Sequence, residues 1–355
     1  MEHDNLQLRN HYRQWLNLNG GVYPTDVALL NAVAPAMGTY KAWIPANGNT
    51  LPPPPVTPIE LHPYLQQYPF DCSRSKLIIG TFPPISYLCD QLGSPIINPG
   101  GNNITPPKIP FFHGNKLDLW KLAADAALTA SIAAFGAGAI TRLGLVTAVL
   151  EFLQRMDAWV TDIVNHCQRK TITSAADVNL FNIELNLDLV KRLCKEECRI
   201  KKLIFTNSVT FRNEGIMLRA GGNVNTEIRD AFSLFLRACQ VAGIAVELKL
   251  WEGGLGVGVN GANGPWLRNM RNKLVFRMRL TCAERQTKEF VVVTPPSPSG
   301  FARRGLPRNA QFKKYLGMNP NRSVDRFRED VWSNALLCNN DLLATWQPKP
   351  SAKAS

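Results

Sequence analysis

Apolar positions along the chain follow two periods. Leu77, Ile78 and Ile79 form an unbroken apolar run, ended by Gly80 and, three residues on, by Pro83-Pro84. The run has no helical spacing, so it predicts a buried strand that enters a tight, stiff turn. Phe290–Val293, followed by TPPSPSG (Thr294–Gly300), repeats the design. Trp159–Val164, Lys201–Asn207 and Ala245–Leu250 read as further strands. In Leu274–Leu280, Leu274, Phe276, Met278 and Leu280 alternate with Val275, Arg277 and Arg279, the pattern of a half-buried strand with arginines outside. Helical character fills the gaps. Leu119 onward is Ala- and Leu-rich with a turn expected at Gly136–Gly138, and Arg229–Val241 is a further helix. Ser174–Cys194 carries Leu180, Ile183, Leu187 and Val190 on one face, with Ser174 and Asp177 as a variant capping box.

Strands alternating with helices predict an α/β domain, in which ligands sit at strand ends. Two strands that each deliver a proline-rich loop suggest one site built from distant parts of the chain. Residues 61–345 are assigned to this domain. Residues 1–60 form an N-terminal extension with short amphipathic stretches at Asn10–Leu16 and Pro24–Met37 and a polyproline spacer at Pro52–Pro55, and residues 346–355 form a disordered tail. Ile85–Pro110, rich in Gly, Pro and Asn, is long enough to be a wall of the site. Gly256–Gly261 spells G-x-G-x-x-G but runs on into NGANGP, turn chemistry rather than the opening of a helix, so it is read as a loop and not a dinucleotide site.

Charge narrows the partner. The 355 residues carry 40 Lys+Arg against 27 Asp+Glu, a net +13. Residues 1–75 hold four of those cations and five of those anions, so residues 76–355 carry 36 against 22, a net +14. Phe301–Asp330 alone has eight basic residues against three acids, beside the second proline-rich loop. A basic balance concentrated on the patterned part points to a polyanion, most simply nucleic acid. The eight cysteines include no C-x-x-C, and Cys194 and Cys198 have no second ligand pair, so free thiols in a reducing cytoplasm are expected and no metal or cluster. The polar start MEHDNLQLRN is not a signal peptide, and Leu122–Leu153 is interrupted by Asp125, Arg142 and Glu151, which suits a buried helical pair better than a membrane span. The expectation is a cytoplasmic or nucleoid-associated monomer, with no membrane partner and no cofactor.

GTFPP (Gly80–Pro84), PFFHGNKLDLW (Pro110–Trp120), KKLIFTN (Lys201–Asn207) and TPPSPSG (Thr294–Gly300), in that order, resemble the motifs of the uracil-DNA glycosylase superfamily, nearest its mismatch-specific and hypoxanthine-type branches. The resemblance implies a three-layer αβα fold around a central, mostly parallel four-stranded sheet. It implies a DNA glycosylase that flips uracil, hypoxanthine or a bulky modified pyrimidine such as a modified cytosine of phage DNA, and hydrolyses its N-glycosidic bond. A repair or an anti-phage setting fits equally.

By that resemblance Gly80, Thr81, Phe82, Phe112 and Asn207 line the base pocket. One of Phe111 and Phe112 is expected in the core and the other against a base, with the family position favouring Phe112. Asn207 reads the base edge with both a donor and an acceptor. Ser297 sits where relatives contact the leaving base. Pro298, Ser299 and Gly300 pinch the backbone, with Arg303 and Arg304 beside them, and Arg303 or Phe301 fills the gap in the stack. Mismatch-type relatives have an asparagine where this chain has Phe82, and a phenyl ring cannot orient a water. The water-positioning group must come from elsewhere, with Asn115 and Asp118 the catalytic candidates and Asp162 a third. His113, a lone histidine in a loop, reads as at least as often incidental. The competing reading is a DNA-binding protein on the same fold without catalysis.

Overall fold

A computed structural model describes residues 60–84, 86–87, 96–97, 103–169, 180–206, 209–210, 230–250, 272–273, 275–282, 286–298 and 323–337. Its centre is a sheet of six strands: β1 (Lys76–Gly80), β2 (Ala158–Asp162), β3 (Lys202–Phe205), β4 (Ala245–Leu250), β5 (Val275–Thr281) and β6 (Thr287–Val293). Their spatial order is β4-β5-β6-β3-β1-β2. The four strands β6, β3, β1 and β2 are mutually parallel, while β5 pairs antiparallel with β6 and β4 antiparallel with β5. The expected four-stranded sheet is therefore extended by two strands. The alternation in Leu274–Leu280 is the cause: Phe276, Met278 and Leu280 are buried, and Arg279 pairs across the strands with Glu247 at 3.2 Å and Glu289 at 2.5 Å.

Successive side chains of a strand point to opposite faces. Leu77 and Ile79 of β1 and Leu203 and Phe205 of β3 join one apolar cluster, with α4 (Leu187–Leu193) and α5 (Ala231–Val241). Ile78 and Ile204 face the other way, into a cluster with α1 (Asp118–Ala123), α3 (Arg142–Arg155) and α6 (Val324–Leu337). Helices thus cover both faces. Between α1 and α3 lies α2 (Ala126–Gly136), and the turn expected at Gly136–Gly138 is made by Gly138 at φ +75°. Side-chain caps start the helices: Asp125 for α2, Thr141 for α3, Asn186 for α4 and Asp230 for α5.

Of the helix expected over Ser174–Cys194, residues 174–179, with the Ser174 and Asp177 cap, lie outside the described residues, and the rest is a strand, Leu180–Leu185, followed by the short α4. Leu180, Ile183 and Leu187 fit a helical stripe, but Leu180–Leu185 pairs antiparallel with strand Val164–Arg169, and Asn186 caps a new helix by accepting from the Leu189 N–H at 3.1 Å. The strand expected over Trp159–Val164 breaks at Ile163, where β2 ends and Val164–Arg169 begins. That second strand also pairs with the two-residue strand Glu60–Leu61.

The expectation of free thiols is corrected at one pair. Cys194 and Cys282 form a disulfide, joining the end of α4 to the segment after β5, while among the other described cysteines Cys72, Cys167, Cys198 and Cys239 are in no disulfide. Spacing along the chain does not reveal this pair, 88 residues apart. No helix among the described residues is long and apolar enough to cross a membrane.

Candidate active site

The carboxyl ends of β1, β2, β3 and β6 share one edge of the sheet. β1 lies between β2 and β3, so successive parallel strands are added first on one side of it and then on the other, a switch point of the kind that opens a crevice in such sheets. Gly80 ends β1 and Asp162 ends β2, directly opposite in the register. A Cβ on Gly80 would stand 2.1 Å from Asp162 Oδ1 and 3.2 Å from His113 Nε2. Only a glycine leaves room for that carboxylate, and both polar atoms lie beside the position a Cβ there would take.

Asp162 is buried, 5% exposed, and its two oxygens have different surroundings. Oδ2 is 2.8 Å from His62 Nε2. Oδ1 is sealed from solvent and has no hydrogen-bond partner among the described residues. His62 follows the strand Glu60–Leu61, and its N–H donates to the Asn165 carbonyl at 2.8 Å, which fixes the ring beside the end of β2. His62 Nδ1 accepts the Tyr64 N–H at 3.1 Å, so the ring proton belongs on Nε2 and is donated to Asp162. A ring in that tautomer has no lone pair for a metal. Among the described residues no cluster of three or more His, Cys, Asp or Glu side chains is arranged to hold a metal ion.

His113 comes from the turn before α1. Its backbone is left-handed, φ +54°, a conformation that carries strain in a residue with a Cβ. The next position admits only glycine, because a Cβ on Gly114 would lie 2.3 Å from the Ile109 carbonyl oxygen. The Gly114 N–H donates to the Phe111 carbonyl at 2.9 Å, closing the turn. The result aims His113 Nε2, itself buried and without a partner, at the Gly80–Asp162 pair. Burial lowers the His113 pKa from its ordinary value, with the Asp162 carboxylate acting in the opposite direction. A buried carboxylate oxygen and an imidazole nitrogen, side by side and both without a partner among the described residues, are the pair here suited to accept a proton from a water or a polar substrate group.

The residues expected in the pocket fall around this centre in part. Thr81 is buried next to Gly80. Phe82 is half-buried, edge-on to His62 at 5.5 Å between ring centroids. Phe112 is 2% exposed and lies 5.3 Å from both His62 and Phe111, so it supports the His62 ring from within an aromatic cluster that includes Tyr64 and Tyr68. Asn115 donates its backbone N–H to the Tyr87 hydroxyl at 2.9 Å, and Asp118 is the first residue of α1.

Ser297 and Pro298 lie in the loop that leaves β6, two strands from β1 and so about 10 Å away across the sheet. Arg328 of α6 donates to the Ser297 carbonyl at 3.3 Å and to that of Pro298, and Trp332 Nε1 donates to the Pro296 carbonyl at 3.0 Å. Arg328, one of the eight basic residues counted after position 300, thus braces the loop. Asn207, Ser299, Gly300, Arg303 and Arg304 lie outside the described residues.

The sequence alone ranks Asp162 third, leaves His113 as at least as often incidental and gives His62 no role. The signal that existed was local: WVTDIV places one acid at the end of an apolar strand, and FFHG places a histidine before an obligate glycine. His62 gave none, because only folding brings it across 100 positions to Asp162. Compared with known protein families, curated proteins and solved structures, the chain matches none of them.

Proposed function

We propose that the chain is a DNA glycosylase that hydrolyses the N-glycosidic bond of a flipped-out non-standard base, with Asp162 as general base. One observation carries the reading: the Asp162 carboxylate has one oxygen held by His62 and the other buried, unpartnered and directed over Gly80 at the carboxyl edge of the parallel strands. The ordered short motifs and the net +14 of residues 76–355 support DNA as the substrate.

In this reading a water above Gly80 donates a proton to Asp162 Oδ1 as its oxygen bonds to the sugar carbon, and the base departs with the electron pair of the broken C–N bond. His62 is a positioning residue: its Nε2–H fixes Oδ2, so that Oδ1 keeps the lone pair for the water. Asp162 supplies the group that Phe82 cannot. The Thr294–Gly300 loop engages the backbone, and Ser297 lies on the leaving-base side. The base is uracil, hypoxanthine or a bulky modified pyrimidine, and the chain acts as a monomer without a cofactor.

Oligonucleotides bearing each of these bases, incubated with the chain and then cleaved at abasic sites with alkali, test the reading. Excision of at least one base is expected, with Asp162→Asn lowering the single-turnover rate by about 10²–10⁴-fold, the usual worth of a general base. DNA binding without release of any of these bases would overturn it in favour of a non-catalytic DNA-binding protein.

A further inference from the structure

At the amino ends of β1 and β3, across the sheet from Asp162, lie two cysteines that no step above uses. In the parallel pairing of these strands Lys76 stands opposite Lys202. The same offset, carried four residues back along both segments, sets Cys72 opposite Cys198. The backbone keeps that register: the Arg199 N–H donates to the Cys72 carbonyl at 2.8 Å, and the Lys202 N–H to the Ser75 carbonyl at 3.1 Å. The Cys72 thiol donates to the Arg192 carbonyl at 4.0 Å, and Cys198 is near enough to raise the Cys72 pKa. Cys72 is half-buried and Cys198 is 3% exposed, and neither is bonded to another cysteine.

We propose that Cys72 and Cys198 are a dithiol modification site, which closes to a second disulfide on meeting a low-molecular-weight or protein disulfide. The more exposed Cys72 loses its proton, and its thiolate attacks the oxidant's S–S bond and expels one half, which takes up a proton as a thiol. The Cys198 thiolate then attacks the Cys72 sulfur of the mixed disulfide and expels the second half. Two S–H bonds are replaced by one S–S bond, and the oxidant is reduced to two thiols.

Burial, and then the contact with Cys198, raise the Cys72 thiol to about 11, so the attacking thiolate is scarce at neutral pH and closure is slow there and faster in alkali. Closure ties the segments before β1 and β3 at the edge opposite Gly80, and so acts on stability and not on the candidate active site. The inference is independent of the reaction proposed above.

The test is incubation of the full chain with oxidised glutathione at neutral and alkaline pH, then alkylation of remaining thiols and mass mapping of unreduced peptides. Expected is a Cys72–Cys198 linked peptide beside the Cys194–Cys282 one, formed faster in alkali, with a higher melting temperature of the oxidised chain. Cys198→Ser should stop at a glutathione adduct on Cys72, and Cys72→Ser should leave Cys198 unmodified. The peptide map of the unaltered chain decides the matter without any variant. A glutathione adduct on Cys72 with no linked peptide, a link to another cysteine, or both thiols unreacted in alkali would each overturn the proposal.

Discussion

Gly80 and Asp162 face each other at the ends of two parallel strands, and the carboxylate of one occupies the space where the other would carry a Cβ. Gly80→Ala must therefore move Asp162 Oδ1, since 2.1 Å is far below any contact distance. The expected outcome is a destabilisation of roughly 1–3 kcal/mol, typical of overpacking, and, if the chain is the glycosylase proposed above, loss of most of its base excision. Melting curves beside single-turnover rates check it. A variant of unchanged stability and rate would show that the carboxylate need not lie over Gly80.

How much of this was readable beforehand differs between strand and site. Local runs such as Leu77–Ile79 and Phe290–Val293 announced β1 and β6, because a buried parallel strand needs little beyond its own apolar side chains. The stripe Leu180-Ile183-Leu187 misled, because a helix and a strand followed by a helix can share those spacings and cross-strand pairing decides between them. The cluster of His62, His113 and Asp162 was legible only in pieces. Each residue is ordinary alone, and their meeting depends on the pairing of Glu60–Leu61 with Val164–Arg169 and on a left-handed turn at His113. The disulfide joins two segments whose proximity also comes only with the sheet.

His113 gives stability a pH dependence of known sign. Its pKa in the fold lies below the ordinary 6.5 because burial disfavours the charged ring. As pH falls through 6.5, the unfolded chain takes up a proton that the folded chain refuses, and stability declines until the folded pKa is reached. Above 6.5 both states are neutral at this site, and the full stability is present. His113→Gln should flatten the acid limb of a plot of melting temperature against pH. An unchanged limb would assign the acid sensitivity to other groups.

The Cys194–Cys282 disulfide closes a loop of 88 residues. Restricting an unfolded loop of that length is worth roughly 4–5 kcal/mol in the chain-entropy treatment, with measured values often lower. Cys282→Ser should lower the urea midpoint accordingly, and a reducing agent should do the same to the unaltered chain but not to the variant. Equal midpoints for variant and unaltered chain in oxidising buffer would mean that the bond adds nothing to stability.

The proline-rich loop after β6 depends on a helix that carries no expected site residue. Prolines have no N–H to donate, so a segment such as Pro295-Pro296-Ser297-Pro298 does not pair as a strand in a ladder, and its carbonyls accept from donors elsewhere. α6 supplies the donors. Arg328 and Trp332, four residues apart and so on one face, donate to the carbonyls of Ser297, Pro298 and Pro296. Trp332→Phe keeps most of the ring and removes one donor, at an expected cost of about 1 kcal/mol. Arg328→Met removes the donor to two carbonyls and should cost more, roughly 1–3 kcal/mol, since those groups lose a charged partner. If the loop engages the DNA backbone, both variants should also weaken binding to a duplex containing an abasic site, Arg328→Met more than Trp332→Phe, while Asp162→Asn leaves that affinity nearly intact. Arg328 is largely buried, 5% exposed, so its effect on binding should come through loop order and should change the salt dependence little. Fluorescence anisotropy across a salt series, beside melting temperatures, separates the two contributions. A steep change of salt slope in Arg328→Met at unchanged stability would mean that the side chain meets phosphate directly and does not act by bracing the loop.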